Sequence, residues 1–92
     1  MRESFIEKTV TAYARGKGWL AFKFSSPGNK AVPDRLYIKG GLTIYIEFKA
    51  PNKKPTKLQA HTHKKMIEHG AKVFVVDSIA GGENVFDAID VT

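Results

Sequence analysis

Apolar residues recur at three- and four-residue steps near the start of the chain, at Ile6, Val10, Tyr13 and Ala14, with Glu7 and Lys8 flanking the stripe. That repeat predicts an amphipathic helix over about residues 3–15, stopped by Gly16 and Gly18. The run Trp19-Leu20-Ala21-Phe22-Lys23-Phe24 is rich in aromatic and apolar residues and predicts a strand. Residues 25–32, with Pro27, Gly28 and Asn29, read as a loop. Two β-rich runs, about 34–38 and 43–48, flank Lys39-Gly40-Gly41-Leu42. A Gly-Gly pair between such runs predicts a tight hairpin, because the favoured turns need positive φ. A Lys/Pro-rich loop over 50–55 precedes a helix that opens at Thr56, runs to about His69 and stops at Gly70, a left-handed cap. Residues 72–77, containing Val73-Phe74-Val75-Val76, predict a buried strand, and Gly81-Gly82 sets it apart from a short amphipathic helix over about 83–89. The order α-β-β-β-α-β-α, with a right-handed parallel crossover from 43–48 through the second helix to 72–77, predicts an α/β fold: a mixed sheet flanked by helices.

Composition narrows the class. At 92 residues, 42% hydrophobic and 26% charged, the chain reads as one globular domain spanning 1–92. Its core is small enough that self-association would help it. No apolar run approaches the roughly 20 residues of a membrane span, and the charged start MRESFIEK lacks a secretory apolar stretch. With no cysteine, disulfides, thiolate metal sites and Cys nucleophiles are excluded, and a cytoplasmic location is expected. The formal charge of +6 suits a polyanionic partner such as nucleic acid. The charge is unevenly placed: Lys49, Lys53, Lys54, Lys57, Lys64 and Lys65 fall in an acid-free stretch, whereas Glu83, Asp87 and Asp90 crowd the end.

The hairpin carries the chemistry. A turn at Gly40-Gly41 pairs Lys39 with Leu42 and Ile38 with Thr43, and the same register places Asp34 opposite Glu47. Directly opposed side chains on one face lie about 4.5–5.5 Å apart at Cβ. Two carboxylates at about 5 Å repel by about 3 kcal/mol at an effective dielectric near 20, so the pair calls for a proton or a cation. Lys49, two residues after Glu47, points to the same face, while Ile44, Ile46 and Phe48 form the opposite, apolar one. Glu47 interrupts the apolar run Thr43-Ile44-Tyr45-Ile46-Glu47-Phe48, where an unpaired charge is unfavourable. One or two carboxylates plus substrate phosphate is ligation that suits Mg²⁺, and the implied reaction is metal-assisted phosphodiester hydrolysis, with Lys49 acting on the water or on developing charge. The bland reading of the same trio is a solvated strand edge carrying a surface ion pair.

Pro33-Asp34, then Glu47-Phe48-Lys49 closing a strand, then a helix and a strand, resembles the PD-(D/E)xK nuclease superfamily. More narrowly, PDRLY, IYIEFKAPNKKPTKLQ and KVFVVDS resemble the VRR-NUC (virus-type replication-repair nuclease) family over nearly the whole chain. The resemblance implies Asp34, Glu47 and the Phe48 backbone carbonyl as metal ligands and Lys49 as the catalytic lysine. It also implies Glu7 as the acid of the first helix, near the metal or a second metal, and Gln59 as the polar residue of the following helix. Mg²⁺ is the implied cofactor, with Mn²⁺ substituting, and no organic cofactor is expected. One departure is Ala31, where the family often has glycine two residues before Pro-Asp.

Other readings stand beside these. Thr56-Lys57-Leu58-Gln59 also reads as a capping box, which competes with a catalytic Gln59. Lys53, Lys54 and Lys57 fit contacts to a nucleic-acid backbone, as do Ser25, Ser26 and Lys30 in the loop before Asp34; as a bland alternative they are solvated loop residues. His61 and His63 diverge by about 200° on a helix and cannot share a zinc ion. No sequence-reading module is visible, so DNA shape and backbone are the expected determinants. The family implies branched DNA, above all a four-way (Holliday) junction, cut by a homodimer with one site per strand, in a phage or mobile-element replication-repair setting. Flap or other branched DNA, RNA, and a non-catalytic basic DNA-binding module are the alternatives.

Overall fold

The computed structural model describes residues 1–89; Asp90, part of the acidic end noted above, lies outside the described residues. Seven elements follow the expected order: α1 (Glu3–Gly16), β1 (Leu20–Lys23), β2 (Arg35–Lys39), β3 (Leu42–Phe48), α2 (Lys57–Glu68), β4 (Lys72–Val76) and α3 (Ile79–Ala88). The strands form one mixed sheet in chain order, antiparallel at β1-β2 and β2-β3 and parallel at β3-β4. Gly40 and Gly41 take φ of 57° and 81°, the left-handed pair that a two-residue hairpin turn requires. The register follows from that turn: Lys39 pairs with Leu42, and the ladder runs to Arg35 opposite Ile46.

Alternation along β3 separates two faces. Ile44, Ile46 and Phe48, with Tyr37 beside them, are fully buried under α1 and α3. Ile6, Val10 and Ala14 are the buried stripe of α1, each large apolar side chain contributing about 1.5–3 kcal/mol by burial. Phe86 of α3 meets Trp19 and Tyr37 edge-on, with centroids 5.3 and 5.0 Å apart. The buried Tyr37 hydroxyl is 2.9 Å from the Thr11 hydroxyl, so neither is left unpaired. Helix α2 lies on the opposite face, where Glu47 points.

Two expectations are corrected. The 72–77 strand is an edge strand rather than a buried one, and Val75 is 46% exposed; an apolar run does not report sheet position. The last helix begins at Ile79 and runs through Gly81-Gly82 rather than after them. Ser78 caps it by accepting the Gly81 N–H at 2.9 Å. Gly82 is placed there by packing: an added Cβ would lie 2.4 Å from Val10 Cγ2, so α1 and α3 approach too closely for any side chain. Ala31 has no positive φ; it is buried and donates its N–H to Asn29 Oδ1 at 3.0 Å, a path that needs no glycine.

Candidate active site

The site is built where β2 begins and β3 ends. Asp34 is the residue before the β2 ladder, its carbonyl held by the Phe24 N–H at 2.8 Å. Its Oδ2 accepts the Phe48 N–H at 2.8 Å, which fixes the carboxylate beside the strand that carries Glu47. Glu47 is 3% exposed. Its Oε2 accepts from Gln59 Nε2 at 3.2 Å and lies 3.5 Å from Lys49 Nζ. Its Oε1 is buried with no hydrogen-bond partner among the described residues. A buried carboxylate oxygen is rarely left that way, so the side chain is oriented with one oxygen tied and the other presented.

Helix α2 supplies the orientation. Thr56 Oγ1 accepts the Gln59 N–H at 3.1 Å, and Gln59 Oε1 accepts the Thr56 N–H at 3.0 Å. The two roles weighed for Gln59 are therefore compatible: its amide oxygen closes the capping box while its NH₂ group holds Glu47. One helical turn on, His63 shares that face, is 5% exposed, and has its Nε2 buried without a partner. Sequence reasoning missed His63, having considered it only as a zinc ligand. Its spacing of four from Gln59 was the available signal.

Burial and charge set the protonation of the group. Burial above all, then the charge of Asp34, pushes the Glu47 carboxyl up to about 7, against the pull of Lys49. The expected repulsion is thus present but second to desolvation. Asp34 is also raised by burial, opposed by the Phe48 N–H and reinforced by Glu7. Burial, then Lys49, lowers the imidazole of His63, while Asp34 opposes them.

The remaining candidates are placed differently. Glu7 turns to Arg35, with Oε2 2.6 Å from Nε, and reaches Asp34 only through its field. Lys53 and Lys54 line a cleft of about 550 Å³ with Val75 and Asp77. The loop there is pinned by Asn52, which has φ 66° and donates its N–H to Asp77 Oδ2 at 3.1 Å. Lys57 is exposed at the start of α2. Ser25 and Ser26 lie in the loop before Asp34, and Lys30 lines a groove beside α2.

Among the described residues, no three acidic or imidazole side chains converge as a closed metal cage. The donors present nevertheless fit a hard cation held by few protein ligands: two carboxylates, one with an orphaned buried oxygen. Mg²⁺ characteristically keeps water and substrate phosphate for its other positions.

The fold and this carboxylate–lysine arrangement are those expected of a nuclease domain. No family model matches the chain. A relative from Acyrthosiphon pisum secondary endosymbiont phage 1, named "Putative nuclease p44", is 43% identical over 79 residues, covering 85% of each chain. A solved structure described as a VRR_NUC domain superposes with a TM-score of 0.88 at 28% identity, over 96% of this chain and 97% of that one. A second, a VRR_NUC domain protein, gives 0.77 at 15% identity over 95% and 86%, a likeness of fold alone. The chain belongs to the VRR-NUC family of nucleases.

Proposed function

We propose that this protein is an Mg²⁺-dependent endodeoxyribonuclease that hydrolyses phosphodiester bonds in branched DNA, with a four-way junction as its principal substrate, and that it acts as a homodimer. The observation that carries the reading is the buried Glu47, its Oε2 tied by Gln59 and Lys49 and its Oε1 free. Asp34, Glu47 and the Phe48 carbonyl would hold the ion, with Glu7 near enough to act on Asp34. When bound, Mg²⁺ neutralises phosphate charge and lowers the pKa of a coordinated water.

The chain's own groups do the rest. Gln59 fixes the rotation of the Glu47 carboxylate, so the ligand geometry is set before substrate arrives. Lys49, only 15% exposed, puts a fixed positive charge where the phosphoryl oxygens gain charge in the transition state. His63 supplies a neutral imidazole on the same face of α2, able to hydrogen-bond a phosphate oxygen or the attacking water. Lys53, Lys54 and Lys57, with Ser25 and Ser26, supply backbone contacts that position DNA without reading its sequence. One chain carries one such site while a junction requires two cuts, which favours a two-fold dimer.

The test is incubation with labelled four-way junction, flap, plain duplex and RNA of the same sequence, with Mg²⁺ or with EDTA. The reading expects metal-dependent cuts in branched DNA, paired across the junction. Preferential RNA cleavage would move the substrate class, and DNA binding that ignores EDTA and gives no cuts would leave a basic binding module instead.

A further inference from the structure

Helix α2 presents a second polar face. Gln59 and His63 turn toward the carboxylates, whereas Leu58, His61 and Lys65 lie roughly 150° around the helix and face the loop before Asp34. Between that loop and this face runs an open groove of about 840 Å³. Lys30 and Lys65 give it two fixed positive charges, His61 and His69 add imidazoles, and no acidic residue among the described ones lines it. His69 donates Nδ1–H to the Lys65 carbonyl at 2.7 Å, which fixes the ring against the helix end. Leu58, 64% exposed, and Val32 give the groove apolar surface.

We infer that this groove holds a single strand of DNA leading from the cleavage site, with its phosphates at Lys30 and Lys65 and its sugars and bases against Leu58 and Val32. The inference rests on the nuclease reading and extends it, for branched DNA that carries an unpaired strand beside the cut, from the reacting phosphate to that strand. Charge supports the occupant: Lys30 and Lys65 line the groove, whose wall residues Val32 and Leu58 belong to the same loop and helix that carry Asp34 and Gln59. Cations beside apolar surface are what unpaired nucleotides need, since their bases are not already stacked in a duplex.

The test measures binding by wild-type protein in EDTA to a duplex with a single-stranded tail and to the same duplex with blunt ends, across a salt series. Lys30→Gln/Lys65→Gln should weaken the tailed DNA about tenfold or more and flatten its log–log salt slope by about 1.4, the value for two lost single-strand phosphate contacts. Blunt duplex should change by less than about twofold, and Leu58→Ser should weaken the tailed DNA alone. Equal losses on both DNAs, or no loss on either, would overturn the inference. Cleavage by the wild type with Mg²⁺ is scored separately. Cutting with unchanged binding in the double variant removes only the groove. Tail binding through Lys30 and Lys65 without any cutting removes only the nuclease reading.

Discussion

Glu47→Gln isolates the energetic cost of the site. Raising this carboxyl from 4.5 to about 7 means that the folded protein binds the proton more tightly than the unfolded chain does. Stability from this group is therefore complete below pH 4.5 and is lost as pH rises through about 7. The span corresponds to about 3 kcal/mol. Glutamine is isosteric and neutral at every pH, and its amide oxygen still accepts from Gln59 Nε2; the charge attraction of Lys49 is forfeited, and the NH₂ stands where the protonated carboxyl keeps its unpartnered oxygen. In EDTA, urea unfolding should show the variant and the wild type differing little at pH 5. At pH 8.5 the variant should be about 2–3 kcal/mol more stable, roughly 10–20 °C in Tm for a chain of this size. The raised Asp34 leaves a smaller slope of the same sign in both proteins. The same substitution should abolish metal-dependent cleavage. If the variant is no more stable than the wild type at pH 8.5, or gains equally at both pH values, the buried-charge argument fails.

Three further outcomes follow from the same geometry. Lys49→Ala should cut turnover by about a hundredfold or more while DNA affinity holds within a few-fold, and Lys53→Ala should do the reverse; steady-state cleavage and binding anisotropy separate the two. His63→Ala should lower kcat about tenfold or more with KM nearly unchanged, because the imidazole makes no hydrogen bond through Nε2 that folding would miss; an unaltered kcat would make it a packing residue. Gly82→Ala should destabilise by about 1–3 kcal/mol despite alanine's better helix propensity of about 1 kcal/mol, since its Cβ would meet Val10 at 2.4 Å. Urea unfolding checks this, with exposed Asn84→Ala as the control.

Much of the site was legible because it is local. The Gly-Gly turn fixes the register of one hairpin, and that register brings Asp34 and Glu47 to one end of it without any long-range information. A charge inside an otherwise apolar strand was likewise visible. What sequence could not give were the packing consequences. Gly81-Gly82 reads as a helix breaker until Val10 is seen pressed against it. The apolar run at 72–76 does not say that β4 stands at the sheet edge. His63 becomes a site residue only once α2 is laid over Glu47. Gln59 looked like a choice between two roles, and the structure shows one amide serving the helix cap with its oxygen and Glu47 with its nitrogen.

In the proposed function, Glu47, buried and tied through one oxygen, holds a divalent cation with the other. Titration of Mn²⁺ into the protein, followed by calorimetry or by the paramagnetic signal of free ion, tests it without reference to cleavage. Saturable binding to the wild type is expected, strengthening as pH rises through about 7 and disappearing in Glu47→Gln and Asp34→Asn. Equal binding by the wild type and both variants, or none by the wild type at millimolar metal even with DNA present, would contradict it.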